Sequence, residues 1–404
     1  MNDDYADYEC PMPESFQDKI GITLFLAWLF YLGFVSRILF APLMPEIEKD
    51  LGITHGQAGG LFLLMSVGYM FAPVCSGVIS SRFDHRGTLM FSAWLVGLSL
   101  MAFSFIDNVW GMGALLLGIG FAGGIHLPSA IATITAEIQK SDWGKGLSVH
   151  QCAPPLSFVS APLIAAVLLR WYSWRQILLI WAILSLVAAL LYTFRGRGGE
   201  FPGRTVNVAN VKIVGSSLSF WIMVVLLSMA FSGNAGIFAM LPLFLVNERG
   251  YDLTWANTLI GLSQLSGLAV VFVTGWLSDR IGQQKVMGVS LLATGTLTLL
   301  MPWSDGGALV LVLFLQAAAL TAFFPAGFAA LSRVTLPSLR SVASALGPPL
   351  AFLVGGGLMP TLIGYLADIH SFTAGIHVAG GFILLGPLLV CLLSLGQYDG
   401  QTGC

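Results

Sequence analysis

Gly275-Trp-Leu-Ser-Asp279-Arg280-Ile-Gly282-Gln-Gln-Lys285 is a short polar turn set between two long apolar runs. Gly77-Val-Ile-Ser-Ser81-Arg82-Phe-Asp84-His85-Arg86 repeats its outline 198 residues earlier. The echo continues on both sides. Pro42 and Thr54 lie 200 residues before Pro242 and Thr254, and His126-Leu-Pro128-Ser lies 197 before Phe323-Phe-Pro325-Ala. The pair Pro154-Pro155 lies 194 before Pro348-Pro349. Four matches in order at nearly one offset describe a chain made of two related halves in the same orientation.

The surroundings of these turns decide the solvent. Of 404 residues, 56% are hydrophobic and 9% charged, with a mean hydropathy of +0.84. A soluble domain carries about a quarter charged residues, so this chain cannot clothe itself for water, and a secreted enzyme, a cytosolic enzyme and a nucleic-acid binder are excluded. The net charge of -2 offers no basic footprint for nucleic acid. The cysteines Cys10, Cys75, Cys152, Cys391 and Cys404 are isolated, with no zinc spacing and no disulfide framework. The C-terminal Gly-Gln-Thr-Gly-Cys is not a prenylation box. The start is acidic, with Asp3, Asp4, Asp7, Glu9, Glu14 and Asp18 before the first basic residue, Lys19. It reads as a solvated tail and not a signal peptide.

About 20 apolar residues cross a bilayer core as a helix. The runs are continuous and do not alternate at period two, which selects helices over a barrel. Twelve spans are expected, at roughly 20–44, 57–79, 87–105, 109–137, 147–169, 177–194, 218–246, 255–277, 285–302, 307–333, 342–367 and 372–395. The domains follow: a tail (1–19), a six-helix bundle (20–194), a linker (195–217), a second six-helix bundle (218–396) and a tail (397–404). With the N-terminus inside, thirteen Lys and Arg fall on the cytoplasmic side and four (Lys49, Arg170, Arg175, Arg249) on the other, Arg37 being inside a span. Both termini are therefore expected in the cytoplasm. Trp110, Trp171, Trp174, Trp255 and Trp303 fall at outer ends, as an aromatic belt requires.

The second-half turn resembles the loop signature of the major facilitator superfamily, Gly-x-x-x-Asp-Arg-x-Gly-Arg-Arg/Lys. That superfamily is itself the type example of parallel six-helix repeats. The resemblance covers nearly the whole chain after residue 20. It implies an all-α membrane protein, with twelve transmembrane helices in two pseudo-symmetric bundles that rock about a central site. The first-half copy has Ser81 where the signature has Asp, so Asp84 would have to supply that carboxylate. Asp279, Arg280, Arg82 and Asp84 are the candidate conformational latch, by pairing across the turns and with helix ends. A plain positive-inside anchor is the competing reading.

Ionisable groups at mid-membrane are costly and so are site candidates. Arg37, in Tyr31-Leu-Gly-Phe-Val-Ser-Arg37, lies about 25 Å along its helix. It either snorkels to the headgroups or turns inward, where an unpaired guanidinium calls for an anionic ligand. Residues 31–57 also resemble the first helix of the superfamily's organic-anion carriers. Arg37 matches an arginine that binds the substrate's acid group in its anion:cation symporters. The stretch from Gly124 to Gln151 is closer to the fosmidomycin-resistance branch of exporters.

His126, before Pro128, either satisfies a freed backbone carbonyl or binds substrate and proton, and His150 is the second proton-coupling candidate. Glu46 and Glu137 could serve from the rim. Asn234, Gln264 and Gln316 either bind substrate or bond across helices. Tyr31 and Tyr69 either line the cavity or face lipid. Gly355-Gly-Gly357 reads as close packing or a hinge. There is no catalytic triad, nucleotide motif or metal signature, so neither an enzyme nor a cofactor is expected. The sequence reads as a monomeric secondary transporter of the inner membrane. Its partners are a small organic anion, a proton or other coupling ion, and lipid. The alternative is a drug or metabolite exporter in which Arg37 is structural.

Overall fold

A peptide group in hydrocarbon has no water to bond, so an apolar run of bilayer length closes its hydrogen bonds within itself as a helix. The computed structural model describes residues 16–203, 205 and 207–393. Among those residues it holds helices and no strand. Ten helices and one bent pair are long and apolar enough to cross a membrane. One of the ten, His55–Phe103, has 49 residues. That is about 73 Å of helix, over twice the hydrocarbon thickness. It is two spans, because at Asp84 the backbone leaves helical geometry (φ 61°, ψ 178°). The twelve spans are α1 (Lys19–Leu51), α2 (55–83), α3 (85–103), α4 (Val109–Glu137), α5 (Lys140–Leu168), α6 (Trp174–Arg195), α7 (Leu218–Glu248), α8 (Leu253–Ile281), α9 (Gln283–Trp303), α10 (Gly306–Arg333), α11 (Pro337–Ile369) and α12 (Phe372–Leu392).

The two quoted turns solve the same geometric problem with different residues. Gly282 takes φ 93° between α8 and α9, where a glycine pays no steric penalty. Asp84, 198 residues earlier, takes φ 61° between α2 and α3 with a side chain in place. Its Oδ1 accepts the Gly87 N–H at 2.6 Å, which caps the first turn of α3.

The way the core divides gives the conformation. One apolar cluster joins α1–α6 to Ile237–Leu245 of α7, Ala256–Ile260 of α8, and Met359 and Ile363 of α11. A second cluster, built on Phe220, Leu227, Phe323 and Leu331, belongs to the second half alone. The halves are therefore packed together on the side away from the termini. There, Gly59 lies so close to α11 that an added Cβ would come within 2.5 Å of the Pro360 carbonyl oxygen. Asn257 Nδ2 donates to the Pro42 carbonyl at 3.1 Å across the same seam. Hollows of similar size lie between the halves at both ends, about 600 Å³ between Pro73–Val74 of α2 and Ser341–Leu346 of α11 on the termini side and about 630 Å³ between Glu46–Asp50 of α1 and Asp252–Thr254 of α8 on the other, so the division of the core alone carries the conformation.

One expectation is corrected. Trp110, Trp171, Trp255 and Trp303 are exposed at helix ends, but Trp174 is buried. As the first residue after the Ser173 cap it points into the bundle, where its indole N–H meets Asp50 Oδ2 at 3.2 Å. The 195–217 segment is more than a loop. Its first part is a strap on the α2–α3 turn: Arg86 N donates to Gly199 O (2.9 Å), His85 N to Phe201 O (3.3 Å) and Gly203 N to Ser80 O (2.9 Å). Gly198 and Gly199 both have positive φ, and a Cβ on Gly199 would strike the Thr133 hydroxyl at 2.6 Å. Its second part is a short helix, Val208–Gly215, whose Val214 is buried in the second half's core.

Candidate functional site

The site grows from a loosened turn in α1. Pro42 cannot donate a backbone hydrogen bond, so the Ile38 carbonyl lacks its helical partner, while Leu39 keeps helical dihedrals (φ -63°, ψ -23°) and the span runs on. Arg37 stands just before that turn, 6% exposed, turned into the protein and not toward the rim. Glycine at 123 makes room for it, since a Cβ there would lie 2.9 Å from Arg37 Cζ. The guanidinium carbon sits 4.3 Å from the Phe34 ring centre and 5.2 Å from that of Tyr69. Its Nε is buried without a partner. Among the described residues no carboxylate pairs with it.

Two narrow cavities flank Arg37. One, of about 20 Å³, lies within the first half and is lined by Phe30, Ser92, His126 and Ser185 as well as Arg37. It is wide enough for a water molecule. The other, of about 40 Å³, lies between the halves. Phe34, Phe62, Met65 and Phe158 face Phe238 and Phe352 across it, and Arg37 is its one polar lining residue among those described.

His126 and His150 are both buried and stack in parallel with Phe30, ring centres 5.3 and 4.5 Å away. Nε2 of His126 and both ring nitrogens of His150 are buried without partners. Arg37, Tyr69 and His126 are thus brought together, with His150 stacked behind. The other candidates are not. Tyr31 bonds the Ser160 hydroxyl at 2.8 Å. Gln316 Nε2 donates to the Gly233 carbonyl at 3.1 Å, which is the cross-helix use. That carbonyl belongs to a widened π-turn of α7, Ser232–Gly236, which carries the half-buried Asn234. Gln264 is half-buried on α8 and lines neither cavity. α7 has another π-turn at Phe244–Glu248, and Gly355-Gly-Gly357 lies in a third, Leu353–Leu358 of α11. The first and third touch: a Cβ on Gly355 would come 2.5 Å from Phe231 and 2.6 Å from Ser232 N.

Arg82, Asp279 and Arg280 are exposed at the open side, Arg280 over the Trp276 ring at 4.2 Å. Among the described residues none of them makes an ion pair, nor does Asp84, so the expected latch is not closed in this conformation. Of the rim carboxylates, Glu137 pairs with Lys19 at 3.5 Å and Glu46 is half-buried.

A polar lock that the sequence reading missed holds the closed side. The Asp368 carboxylate, at the end of α11, accepts the N–H groups of His55 and Gly56 at 2.9 Å each. These are first-turn donors of α2 with no partner inside their own helix. His55 Nδ1 also bonds Glu48 Oε2 at 2.8 Å, and Glu48 is 7% exposed. One signal for it was present: Glu48 lies 200 residues before Glu248, which accepts the N–H of Phe372 at 2.6 Å and so caps α12.

Residues 23–282 and 257–400 match the Major Facilitator Superfamily. The chain belongs to this superfamily. It is a multi-pass membrane transporter and not an enzyme. It is 23% identical over 316 residues to the 4-hydroxybenzoate transporter PcaK of Pseudomonas aeruginosa, covering 69% of this chain and 70% of that one. It is 25% identical over 325 residues to the multidrug resistance protein MdtG of Salmonella typhimurium, covering 75% and 78%. Its fold is that of a bacterial homolog of the human lysosomal transporter Spinster, solved in an inward-facing and occupied conformation. The TM-score is 0.82 at 13% identity, over 96% of this chain and 99% of that one.

Proposed function

We propose that this superfamily member carries a small organic anion across the inner membrane by rocking its halves about Arg37. Both termini lie in the cytoplasm and a proton is the coupling ion. The observation that carries the reading is a buried guanidinium at the seam between the halves with no carboxylate beside it. A buried cation is costly unless an anion meets it, and a guanidinium fork grips a carboxylate or phosphate bidentately. His126 borders the same cavity as Arg37, so a proton on its ring becomes tolerable only when an anion neutralises the arginine. Anion and proton then enter together. A relative that carries an organic anion supports the reading, and a relative named for drug resistance supplies the competing one.

Thermal stabilisation of the purified protein by carboxylates, phosphates and apolar drugs tests it. A ligand at a hundred times its dissociation constant adds about 2.7 kcal/mol. Anions should stabilise the wild type and lose that effect in Arg37→Ala. Stabilisation by neutral drugs alone, unchanged in Arg37→Ala, would leave an exporter. For coupling, His126→Gln should bind the anion but lose uptake driven by a pH gradient in proteoliposomes. Gradient-driven uptake that persists removes His126 from the mechanism. For orientation, a cysteine at Ser216 should resist labelling from outside intact cells.

A further inference from the structure

We infer that the anion is a flat aromatic monocarboxylate, bound with its acid group on Arg37 and its ring between Phe34, Phe158, Phe238 and Phe352. The inference rests on the reading of Arg37 as the anion's partner and adds what the rest of the ligand must be. The cavity between the halves gives three constraints.

The first is charge. Arg37 is the only ionisable side chain lining the cavity among the described residues, with no second cation and no carboxylate. One negative charge is matched there. A second would be left buried and unpaired, and so would the ammonium of an amino acid. The second is hydrogen bonding. Apart from Arg37, the lining is Phe, Met, Ile, Ala and Gly. Of the three deep amides, Gln316 is already committed to the Gly233 carbonyl, and neither Asn234 nor Gln264 lines the cavity. The hydroxyls of a sugar acid or sugar phosphate would lose water and gain no partner, which costs more than it returns.

The third is shape. Five phenylalanines line the cavity from both halves: Phe34, Phe62 and Phe158 from the first, Phe238 and Phe352 from the second. They already pair edge to face, Phe158 with Phe238 at 5.0 Å and Phe352 with Tyr69 at 5.3 Å. Both pairs cross the seam. A flat ring entering between such pairs replaces one aromatic contact by two. Ala235, Ala239 and Gly356 leave the second half's wall low opposite Arg37. In this conformation the space is narrow, about 40 Å³, and it widens only as the halves part. A ring held by both walls therefore reports on their separation, whereas a ligand held by Arg37 alone would not.

The test is a matched series on the full-length protein, by competition in proteoliposome uptake of labelled benzoate and by thermal stabilisation. Benzoate is the flat monoanion and cyclohexanecarboxylate the saturated one. Terephthalate adds a second charge, gluconate adds hydroxyls and benzamide removes the charge. Benzoate should bind most tightly and lose its effect in Arg37→Ala. Phe352→Leu keeps an apolar wall but removes a ring. It should weaken benzoate roughly 2- to 12-fold and leave cyclohexanecarboxylate nearly unchanged. Terephthalate or gluconate binding as tightly as benzoate, still dependent on Arg37, overturns this inference and leaves the anion reading standing. So does an equal loss of benzoate and cyclohexanecarboxylate in Phe352→Leu. Benzamide binding as well as benzoate, with both indifferent to Arg37→Ala, overturns the anion reading as well.

Discussion

The first half places an arginine at position 37; the second, 200 residues on, places Ile237. At the same offset Glu48 answers Glu248, and at 198 Asp84 answers Gly282. The repeat preserves where helices start, turn and break, and it does not preserve charge at the centre. What the second half brings to the seam is two rings, two touching π-turns and a wall of small residues. In the proposed reading, binding is divided by chemistry: one half holds the charge, and the other supplies surface that closes on it.

The largest expected effect breaks that division directly. Arg37→Ala should lower anion affinity roughly 10- to 100-fold, the worth of hydrogen bonds to a charged partner. Arg37→Lys should recover only part of it, because an ammonium lacks the fork. Restoring a cation from the other side, with Ile237→Arg in the Arg37→Ala background, should not rescue uptake. Rescue would mean that the two halves are interchangeable.

A smaller effect separates the two carboxylate caps. Asp368 caps a helix of the opposite half, whereas Glu248 caps one of its own. Helix caps contribute roughly 0.5–2 kcal/mol. Asp368→Ala should therefore open the closed side and speed the labelling of a cysteine at Thr361 severalfold. Glu248→Ala should lower thermal stability with little change in that labelling. Equal labelling in the two variants would show that the Asp368 contact does not hold the seam.

The smallest effect concerns the turns. The backbone at Asp84 occupies a region almost reserved for glycine, at a cost of order 1–3 kcal/mol. Replacing a capping Asp by Gly costs only about a few tenths of a kcal/mol. Asp84→Gly should raise the thermal midpoint slightly, and Gly282→Asp should lower it. A fall in both would mean that the Gly87 bond outweighs the strain.

The spans were legible because lipid imposes a length and a composition on each, and the repeat was legible because proline and glycine mark helix breaks in both halves. Arg37 stood out as a lone charge in an apolar run. Glu48 did not, since Pro45-Glu-Ile-Glu-Lys-Asp50 reads as a solvated helix end. The helix that carries it packs mainly against Ile237–Leu243 and Ala153–Leu168, far along the chain, and no local pattern records them. Trp174 misled for a related reason: a tryptophan at a span end fits the headgroup belt, and only the position of the Ser173 cap turns it inward. The π-turns leave no periodic mark, because one extra residue in a uniformly apolar helix changes no pattern. Two of the three among the described residues show only as glycines, at Gly233, Gly236 and Gly355-Gly-Gly357, and the third, Phe244–Glu248, has none.

The strap on the α2–α3 turn shortens the leash between the halves. By sequence, 195–217 looks like slack enough for any motion. Yet Gly203 is tied to Ser80 of the first half, and the helix that starts at Val208 is rooted in the second through Val214. From Gly203 to Val208 the covalent chain reaches at most about 18 Å, five fully extended steps. On the termini side the protein therefore carries its own stop. The halves can part there by no more than that length before the chain pulls taut, and the strap converts further opening into a pull on the turn that contains Asp84.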